Sequence, residues 1–469
     1  LGLAGAGLGA AAAAAPVFHD LDEVATSAVK VPQPWFVKEV DEPTVEIDYS
    51  ILERPDMPSL SAYPSSALIQ EWGQDEYDRI VAKKKSLEKE NLINGVPGND
   101  LKMKALSTGA LFGWTRDFPQ YFMGDPYPVT PETLDVPKLQ VTPEENCKIV
   151  TAALKFYGAA KVGFTRLDNN TRNFIWTRGR DYEGPVNVRT WRASSPTRWI
   201  EFEDVDEPYI TESKKVIPNK FTDVIVMMIP QSDRATRNGP KSGVETGRYS
   251  AASAQAYGNL AITERRFQRF MRVLGYHALS GGTGSLAPVT AWAVLSGLGE
   301  MSRMNPLLTS EWGTMIRSTV IFVTDMPVTP TKPIDAGMFR FCHTCGLCAE
   351  ACPYEALSFD KEPSWETSGW WNYPGKKIFF INYPQCMRHR NSAGGCDNCM
   401  CACVFTKQPA ASIHDTIKAV VANTSIFNSF FVNMDQFFSY GEHKDPDEWW
   451  ELNMPMGGLD SCIGTMRMR

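Results

Sequence analysis

The sequence predicts a mixed fold, α/β (α+β), in which a core of helices and strands is followed by a small cysteine-rich module. Amphipathic helical patterns alternate with short apolar runs between about residues 142 and 333, which is typical of helices packed on a sheet. Nine of the eleven cysteines then fall between Cys342 and Cys403. A chain of 469 residues is long enough for two or three domains and a large core.

Composition places the chain among ordinary globular proteins. Hydrophobic residues make up 43% and charged residues 22%, and the net charge is −7. An acidic balance without a broad basic surface argues against a nucleic-acid partner. The short run Lys83 to Lys85 is followed by Glu88 and Glu90, so it is better explained as the solvated face of a helix.

The first 141 residues give two different signals. Residues 1–15 are small, apolar and uncharged, and they run through alanines into Pro16 and a polar stretch. This pattern resembles the hydrophobic and cleavage region of an export signal. Residues 16–141 are rich in Pro, Trp, Tyr and acidic residues without a clear period, which predicts an irregular, loop-rich region.

The core, residues 142–333, begins with a strong helix start. Thr142 can cap the helix, Pro143 suits its first turn, and Glu145 follows three residues after the cap. A second helix over Tyr257–Leu274 is predicted to stop at Gly275. Buried strands are predicted at Ala160–Phe164, Val224–Ile229 and Val320–Val323.

The module, residues 334–406, has the cysteine spacing of a bacterial ferredoxin, in which the fourth cysteine of each motif serves the other cluster. The spacing predicts two [4Fe–4S] clusters. One would be bound by Cys342, Cys345, Cys348 and Cys403, and the other by Cys352, Cys386, Cys396 and Cys399. The alternatives to clusters are a zinc site or disulfide bonds. The cysteine spacing alone does not decide whether Cys401 is also a ligand. Cys147 and Cys462 are expected to be packed thiols.

Apart from the cysteines, the residues give little indication of which reaction receives electrons from the clusters. The chain has no Walker loop, no credible dinucleotide fingerprint and no metal-spaced pair among its six histidines. It also lacks the Asp-x-His-x-x-Gly signature of corrinoid proteins that place a histidine below cobalt. An exported protein with clusters is expected to fold first and to leave by the twin-arginine route. At this point the sequence indicates an exported redox protein with two clusters.

Several segments resemble the reductive dehalogenases of organohalide-respiring anaerobes. They are Pro16–Glu23 after the export-like stretch, Gly275–Leu279, Ile334–Phe339 and Val420–Thr424, together with a ferredoxin module placed after the core. The resemblance implies a nitroreductase-like core that binds a corrinoid (a cobamide) base-off, without a protein ligand to cobalt. The clusters would bring electrons to form Co(I), and the net reaction would replace halide by hydrogen.

The resemblance also implies roles for four residues. Tyr257 matches the family's proton donor, and Arg317 matches the arginine that assists it. A phenol ordinarily has a pKa of about 10, so a fixed guanidinium charge would stabilise the phenolate left after donation. Thr283 stands near the position of a family Asn beside the substrate, and Trp114 matches a residue that lines the substrate pocket.

Partners and location follow from the same resemblance. The substrate would be an organohalide. The enzyme would lie on the outer face of the cytoplasmic membrane through a small hydrophobic anchor subunit, take electrons from a respiratory donor, and be able to form a homodimer or a larger complex. Residues 407–469 form a C-terminal tail. The alternatives are an iron–sulfur electron carrier without chemistry of its own and a cobalamin enzyme similar to epoxyqueuosine reductase.

Overall fold

The structure, a computed structural model, describes residues 31–60, 65–110, 121–124, 128–179, 198–238, 251–282, 284–393, 396–406 and 413–451. The export-like stretch at residues 1–15, the tail after residue 451, Trp114 and Thr283 lie outside the described residues. The predicted domain boundaries therefore stay predictions. The elements below are numbered in chain order.

The N-terminal region is more helical than predicted. Its longest helix runs over Gln74–Asn94 and buries only Ile80. Because nearly every face of this helix meets solvent, it has no apolar period, and the prediction of a loop-rich region was wrong here. Lys83 and Lys85 are exposed on it, which confirms the solvated helix face. The helices of this region are α1 (Met57–Leu60), α2 (Ser65–Trp72), α3 (Gln74–Asn94), α4 (Leu101–Ala110) and α5 (Pro131–Leu134).

In the described part of the chain, the strands form one central sheet and three small ones. They are β1 (Lys38–Glu39), β2 (Lys161–Arg166), β3 (Trp199–Glu203), β4 (Tyr209–Ile210), β5 (Lys214–Pro218), β6 (Asp223–Pro230), β7 (Glu300–Met301), β8 (Leu307–Leu308), β9 (Ile316–Thr324) and β10 (Ile334–Asp335). The central sheet has the order β2-β6-β9 and is antiparallel throughout. β3, β5 and β4 form a side sheet, while β7 pairs with β8.

The middle strand β6 is buried along its whole length. Its side chains alternate between two apolar clusters, as a strand with period two requires. Val224, Val226 and Met228 face one cluster, which includes Trp292. The residues between them face the other cluster, which includes Phe267. The sheet therefore has a core on each side, which explains why its strands appear in the sequence as continuous apolar runs.

Helices cover both sides of the central sheet. α6 (Pro143–Tyr157) and α8 (Ala251–Leu274) pack on one side and α9 (Val289–Leu295) on the other, while the short helix α7 (Asp233–Arg237) packs against α8. The predicted start of α6 is confirmed, because the Thr142 hydroxyl accepts a hydrogen bond from the Glu145 N–H at 3.2 Å. The stop of α8 at Gly275 is confirmed too, and this glycine has a φ of 90°. The helix starts at Ala251, six residues before the predicted Tyr257.

The cysteine-rich module and the tail pack together. Their helices are α10 (Met338–Thr344), α11 (Leu347–Glu350), α12 (Tyr383–Ala393), α13 (Asn398–Ala402), α14 (Ile413–Asn423) and α15 (Asn428–Phe437). Short 3₁₀ turns lie at Thr171–Phe174, Val404–Thr406 and Pro446–Glu451. Phe431 of the tail joins the apolar cluster around Phe341, whereas Phe437 is 78% exposed. β1 pairs with β10 and so ties the N-terminal region to the start of the module.

A buried carboxyl group anchors the module to the core. Glu300 is fully buried, and its Oε2 accepts hydrogen bonds from the N–H groups of Ala336 at 3.1 Å and Met338 at 3.0 Å. Burial is the main cause that raises the pKa of Glu300 to about 7, and the nearby charge of Asp335 adds to it, while the hydrogen bonds oppose the rise. The folded protein therefore binds this proton more tightly than the unfolded chain does.

We expect Glu300→Gln to flatten the pH dependence of stability. A carboxyl group whose pKa is raised on folding lowers the free energy of unfolding as pH rises from its unfolded pKa, about 4.5, to its folded pKa. The neutral amide can keep its oxygen on the two N–H groups and removes that loss. The thermal midpoint of the variant, measured anaerobically, should fall less than that of the parent between about pH 5 and about pH 7.

Glu90→Gln is the matched control, because Glu90 is exposed on α3. This variant should follow the parent at every pH. If Glu300→Gln also follows the parent across the whole range, Glu300 does not hold a proton in the folded protein.

Candidate active site

The first cysteine group consists of Cys342, Cys345, Cys348 and Cys403. These four side chains line one shared cavity. Burial raises the pKa of Cys342 well above its usual range, and the neighbouring thiols of Cys348 and Cys403 raise it further. A thiolate is the ligand form of cysteine, and iron binding is what compensates for such burial. This set of donors fits a [4Fe–4S] cluster.

A close approach between backbones sets the direction of the helix that carries Cys342. Gly337 precedes α10 with a φ of 69°. A Cβ atom at this position would lie 2.2 Å from the carbonyl oxygen of Val421 in the tail helix α14. Only glycine permits both the left-handed conformation and this contact. The tail thereby fixes the entry of the first cysteine motif.

The second cysteine group consists of Cys352, Cys386, Cys396 and Cys399. Burial raises the pKa of Cys396 to about 12, and the thiol of Cys386 contributes. Burial also raises the pKa of Cys386, where the thiol of Cys352 adds to the rise. The pKa of Cys399 is raised by burial and by the thiols of Cys396, Cys386 and Cys348. Cys352 thus joins the second motif, and the two groups lie side by side.

Two described cysteines lie outside the two proposed sets of four ligands. Cys401 is 1% exposed and packs in one apolar cluster with cysteines of both groups, but it does not line the cavity that Cys403 shares with the other three thiols of the first group. Cys147 is fully buried in the core, where its Sγ accepts a hydrogen bond from the N–H of Thr329 at 3.3 Å. The structure therefore favours Cys403 over Cys401 as the fourth ligand of the first group. In the part of the chain that the structure describes, no three His, Cys, Asp or Glu side chains converge to hold a single metal ion.

The structure brings Tyr257 and Arg317 together. The guanidinium carbon of Arg317 lies 5.6 Å from the centroid of the Tyr257 ring. Tyr257 is half-buried on α8, and the side chain of Arg317 is 15% exposed on β9. The register between β6 and β9 shifts here, since Ile229 pairs with Ser318 but Pro230 pairs with Ile316. Arg317 is the residue that this β-bulge skips, and a bulge of this kind redirects a side chain.

A carboxylate links this pair to the second cysteine group. Asp397 follows Cys396 in the chain, and its Oδ1 lies 3.9 Å from Nη1 of Arg317. Nε2 of Gln231 lies 3.4 Å from the other oxygen of Asp397 and donates to Thr236 at 2.8 Å. Gln231 is fully buried, and its Oε1 has no hydrogen-bond partner among the described residues. A buried acceptor of this kind fits a ligand that carries N–H groups.

A second buried acid holds the glycine loop that leads to Thr283. Oε1 of Glu264 accepts hydrogen bonds from the N–H groups of Gly281 at 3.1 Å and Gly282 at 2.7 Å. Glu264 is 1% exposed, and burial raises its pKa. It lies two helical turns after Tyr257 on α8, so both side chains lie on the same side of that helix. One helix thus positions both the candidate donor and the loop.

Comparisons with known proteins identify the family. A family model described as a reductive dehalogenase subunit matches residues 32–328, and one described as a 4Fe–4S binding domain matches residues 339–358. The chloroethene reductive dehalogenase of Dehalococcoides mccartyi (strain VS) is 31% identical, over 98% of this chain and 96% of that protein. The chain therefore belongs to the reductive dehalogenase family. It is an enzyme that acts on carbon–halogen bonds, and the predicted family and enzyme class are confirmed.

Two further relatives extend the picture. The tetrachloroethene reductive dehalogenase of Sulfurospirillum multivorans is 31% identical over 68% of this chain, which spans 62% of that protein. Among solved structures, the catabolic reductive dehalogenase NpRdhA matches with a TM-score of 0.60 and 20% identity, over 88% of this chain. The chain spans half the length of that structure. The family assignment favours a dehalogenase over the electron carrier and the epoxyqueuosine-reductase-like alternative.

Sequence reasoning missed the buried charged and polar residues around the site. The residues concerned are far apart in the sequence: Gln231, Glu264 and Asp397. Asp, Glu and Gln are also common on protein surfaces, so their presence alone does not indicate a buried site. Only Asp397 gave a signal, because it directly follows a proposed cluster ligand. Burial and charge pairing depend on the assembled sheet, so they could not be inferred from spacing.

We expect Cys403→Ala and Cys401→Ala to differ in iron content. Cys403 lines the cavity with the other three thiols of its group, so its loss should remove up to about four iron atoms per chain. Cys401→Ala removes a thiol of the same size two residues away and should leave the iron content unchanged. Iron per chain after anaerobic purification is the measurement. Iron lost from Cys401→Ala and retained in Cys403→Ala would reverse the assignment.

Proposed function

We propose that this enzyme removes halide from an organohalide with Tyr257 as the proton donor and Arg317 as its charged partner. Electrons would arrive through two [4Fe–4S] clusters, bound by the first and second cysteine groups, and a base-off corrinoid. One observation carries the proposal: Arg317 lies beside Tyr257 and also beside Asp397, which adjoins a ligand of the second group. The proton donor and the electron path would therefore meet at one buried point.

The role of Tyr257 follows from the chemistry of dehalogenation. The net reaction adds two electrons and one proton to the substrate and releases halide. When bound, a corrinoid in the Co(I) state would supply the electrons that break the carbon–halogen bond. The phenol of Tyr257 donates the proton to the carbon that loses halide. Arg317 is largely buried, so its charge acts at short range on the phenolate that remains.

The remaining residues hold this pair in place. The β-bulge directs Arg317 to the Tyr257 ring, and the carboxylate of Asp397 pairs with the guanidinium. Glu264 fixes the glycine loop that carries Thr283, which we propose as a substrate-pocket residue together with Trp114. These contacts stabilise one geometry for proton donation. The substrate class beyond organohalide depends on the pocket walls.

Several features support a corrinoid in a nitroreductase-like core. One solved relative, which matches with a TM-score of 0.57 and 19% identity, is described in connection with B12-dependent dehalogenation. Peripheral amides of a corrinoid donate N–H groups, and the buried Oε1 of Gln231 lacks a donor among the residues with defined positions. The chain has no Asp-x-His-x-x-Gly motif, which is consistent with a cobalt that takes no histidine from the protein.

The location and partners are also part of the proposal. The export-like N-terminal stretch supports twin-arginine export and a place on the outer face of the cytoplasmic membrane. Among the described helices, none has the length and apolar character needed to cross a membrane. We propose that a small hydrophobic subunit anchors the enzyme there and that a respiratory donor reduces the module. Protease accessibility of the enzyme in intact spheroplasts tests the location.

We expect Tyr257→Phe to lose halide release by about 10²- to 10⁴-fold, because the ring stays but the transferable proton is gone. The variant should keep its iron, its corrinoid spectrum and its thermal midpoint. Halide release under anaerobic conditions with a strong chemical reductant is the measurement, which removes any dependence on the natural electron donor.

Tyr157→Phe is the matched control. Tyr157 is half-buried at the end of α6 and packs against Phe270, on the edge of an open groove. Its variant should release halide at the parental rate. A Tyr257→Phe enzyme that retains full activity with intact cofactors would exclude Tyr257 as the donor.

A further inference from the structure

Arg303 is a buried cation with a fixed orientation. It is 2% exposed and follows β7. Its Nη1 donates to the carbonyl oxygens of Ser358 at 2.8 Å and Asp360 at 2.6 Å, and its Nη2 donates to that of Cys342 at 2.5 Å. The guanidinium carbon lies 4.0 Å from the centroid of the Phe379 ring. Three carbonyls and one aromatic face therefore determine the plane of the guanidinium group.

The charge of Arg303 is not balanced by a carboxylate. Within the described ranges, no Asp or Glu oxygen lies within 4.0 Å of its nitrogens, and its buried Nε has no hydrogen-bond partner. The nearby acids have other partners, since Asp360 accepts from the Ser358 hydroxyl and Glu362 pairs with His343. A buried charge without a counter-charge is strongly destabilising. The position of Arg303 therefore calls for an anion that is not a side-chain carboxylate.

The cavity of the first cysteine group provides the place for such an anion. Arg303 lines this cavity together with the four cysteines and Gly346. Four thiolates on a [4Fe–4S] core carry about two negative charges in the oxidised state and about three in the reduced state. Arg303 thus faces a site whose negative charge increases on reduction.

We propose that Arg303 is the counter-charge of the cluster in the first cysteine group and raises its reduction potential. This inference rests on the proposed binding of a [4Fe–4S] cluster by that group. A fixed positive charge stabilises the reduced cluster more than the oxidised cluster, because the reduced form carries one more negative charge. Burial strengthens this effect, since little water screens the interaction. Arg303 acts through the cluster and does not contact the substrate.

The consequence is an easier first electron transfer. The second cysteine group adjoins Asp397, whose carboxylate lies 3.9 Å from Arg317 of the Tyr257–Arg317 pair, so we place the first group farther from the site of dehalogenation. Electrons from a donor outside the molecule would reach the first cluster before the second. A raised potential lets a weaker reductant fill the first cluster, and electrons then move on to the second.

Redox titration of the purified holoenzyme, followed by electron paramagnetic resonance, tests the proposal in the variants Arg303→Gln and Arg303→Lys. We expect Arg303→Gln to shift the midpoint of one cluster to a more negative potential, so that its reduced-to-oxidised ratio at a fixed potential falls by about tenfold. The other cluster should titrate as in the parent. Arg303→Lys keeps the charge and should stay close to the parent.

Arg340→Gln is the matched control. Arg340 lies on α10 near the same group, but its side chain is 47% exposed and it pairs with Asp335. Its loss should leave both potentials unchanged. Parental midpoints for both clusters in Arg303→Gln would overturn the proposal.

The design separates a failure to assemble from a failure of the proposal. If Arg303→Gln does not hold its iron, the potential of Arg303→Lys is the test. An assembled cluster with the parental potential in Arg303→Lys supports the proposal that Arg303 acts through its positive charge. Loss of the cluster in both variants, or a strongly negative potential in Arg303→Lys, shows that Arg303 acts through its carbonyl hydrogen bonds instead. A parent enzyme with only one cluster signal would contradict the two-cluster function and not the role of Arg303.

Discussion

The contact between Arg317 and its two neighbours joins the halves of this enzyme. The guanidinium lies near both the ring of Tyr257 on α8 and the carboxylate of Asp397, which follows a cysteine of the second group. It reaches both because the β-bulge in β9 redirects its side chain away from the regular register. If the bulge were absent, the sheet would still form, but the proton donor and the cysteine-rich module would lose their common charge. The position of the candidate site therefore depends on one irregularity at the edge of a regular sheet.

Buried charges recur where the module meets the core. Glu300 accepts the N–H groups at the start of α10, and Arg303 binds the carbonyl oxygens around Cys342. Within the core itself, the buried Lys161 pairs with Glu311 at 2.5 Å. Each charge fixes a backbone or a partner side chain in a low-dielectric environment, where a misplaced polar group is expensive. This favours a rigid junction, as electron transfer between fixed centres requires.

The sequence predicted those parts of the molecule that follow from local patterns. The helix at Pro143–Tyr157 could be predicted from the sequence because Thr142 and Gly158 mark its two ends. The grouping of Cys352 with the second motif was predicted because a short helix separates it from Cys348 in the ferredoxin pattern. The long helix α3 was missed, since a helix that buries only Ile80 has no apolar face to detect. The early start of α8 was missed because its first turns consist of small residues, which are buried by tertiary packing and not by periodicity.

Cofactor content of the anaerobically purified enzyme tests the central claim most directly, because the claim is that two clusters and a corrinoid serve one buried site. We expect about one cobalt and about eight iron atoms per chain, with a corrinoid spectrum in the extract. Iron without cobalt, after growth or reconstitution with cobamide, would contradict the account. In that case the roles proposed for Tyr257 and Arg317 in corrinoid-dependent dehalogenation would be wrong.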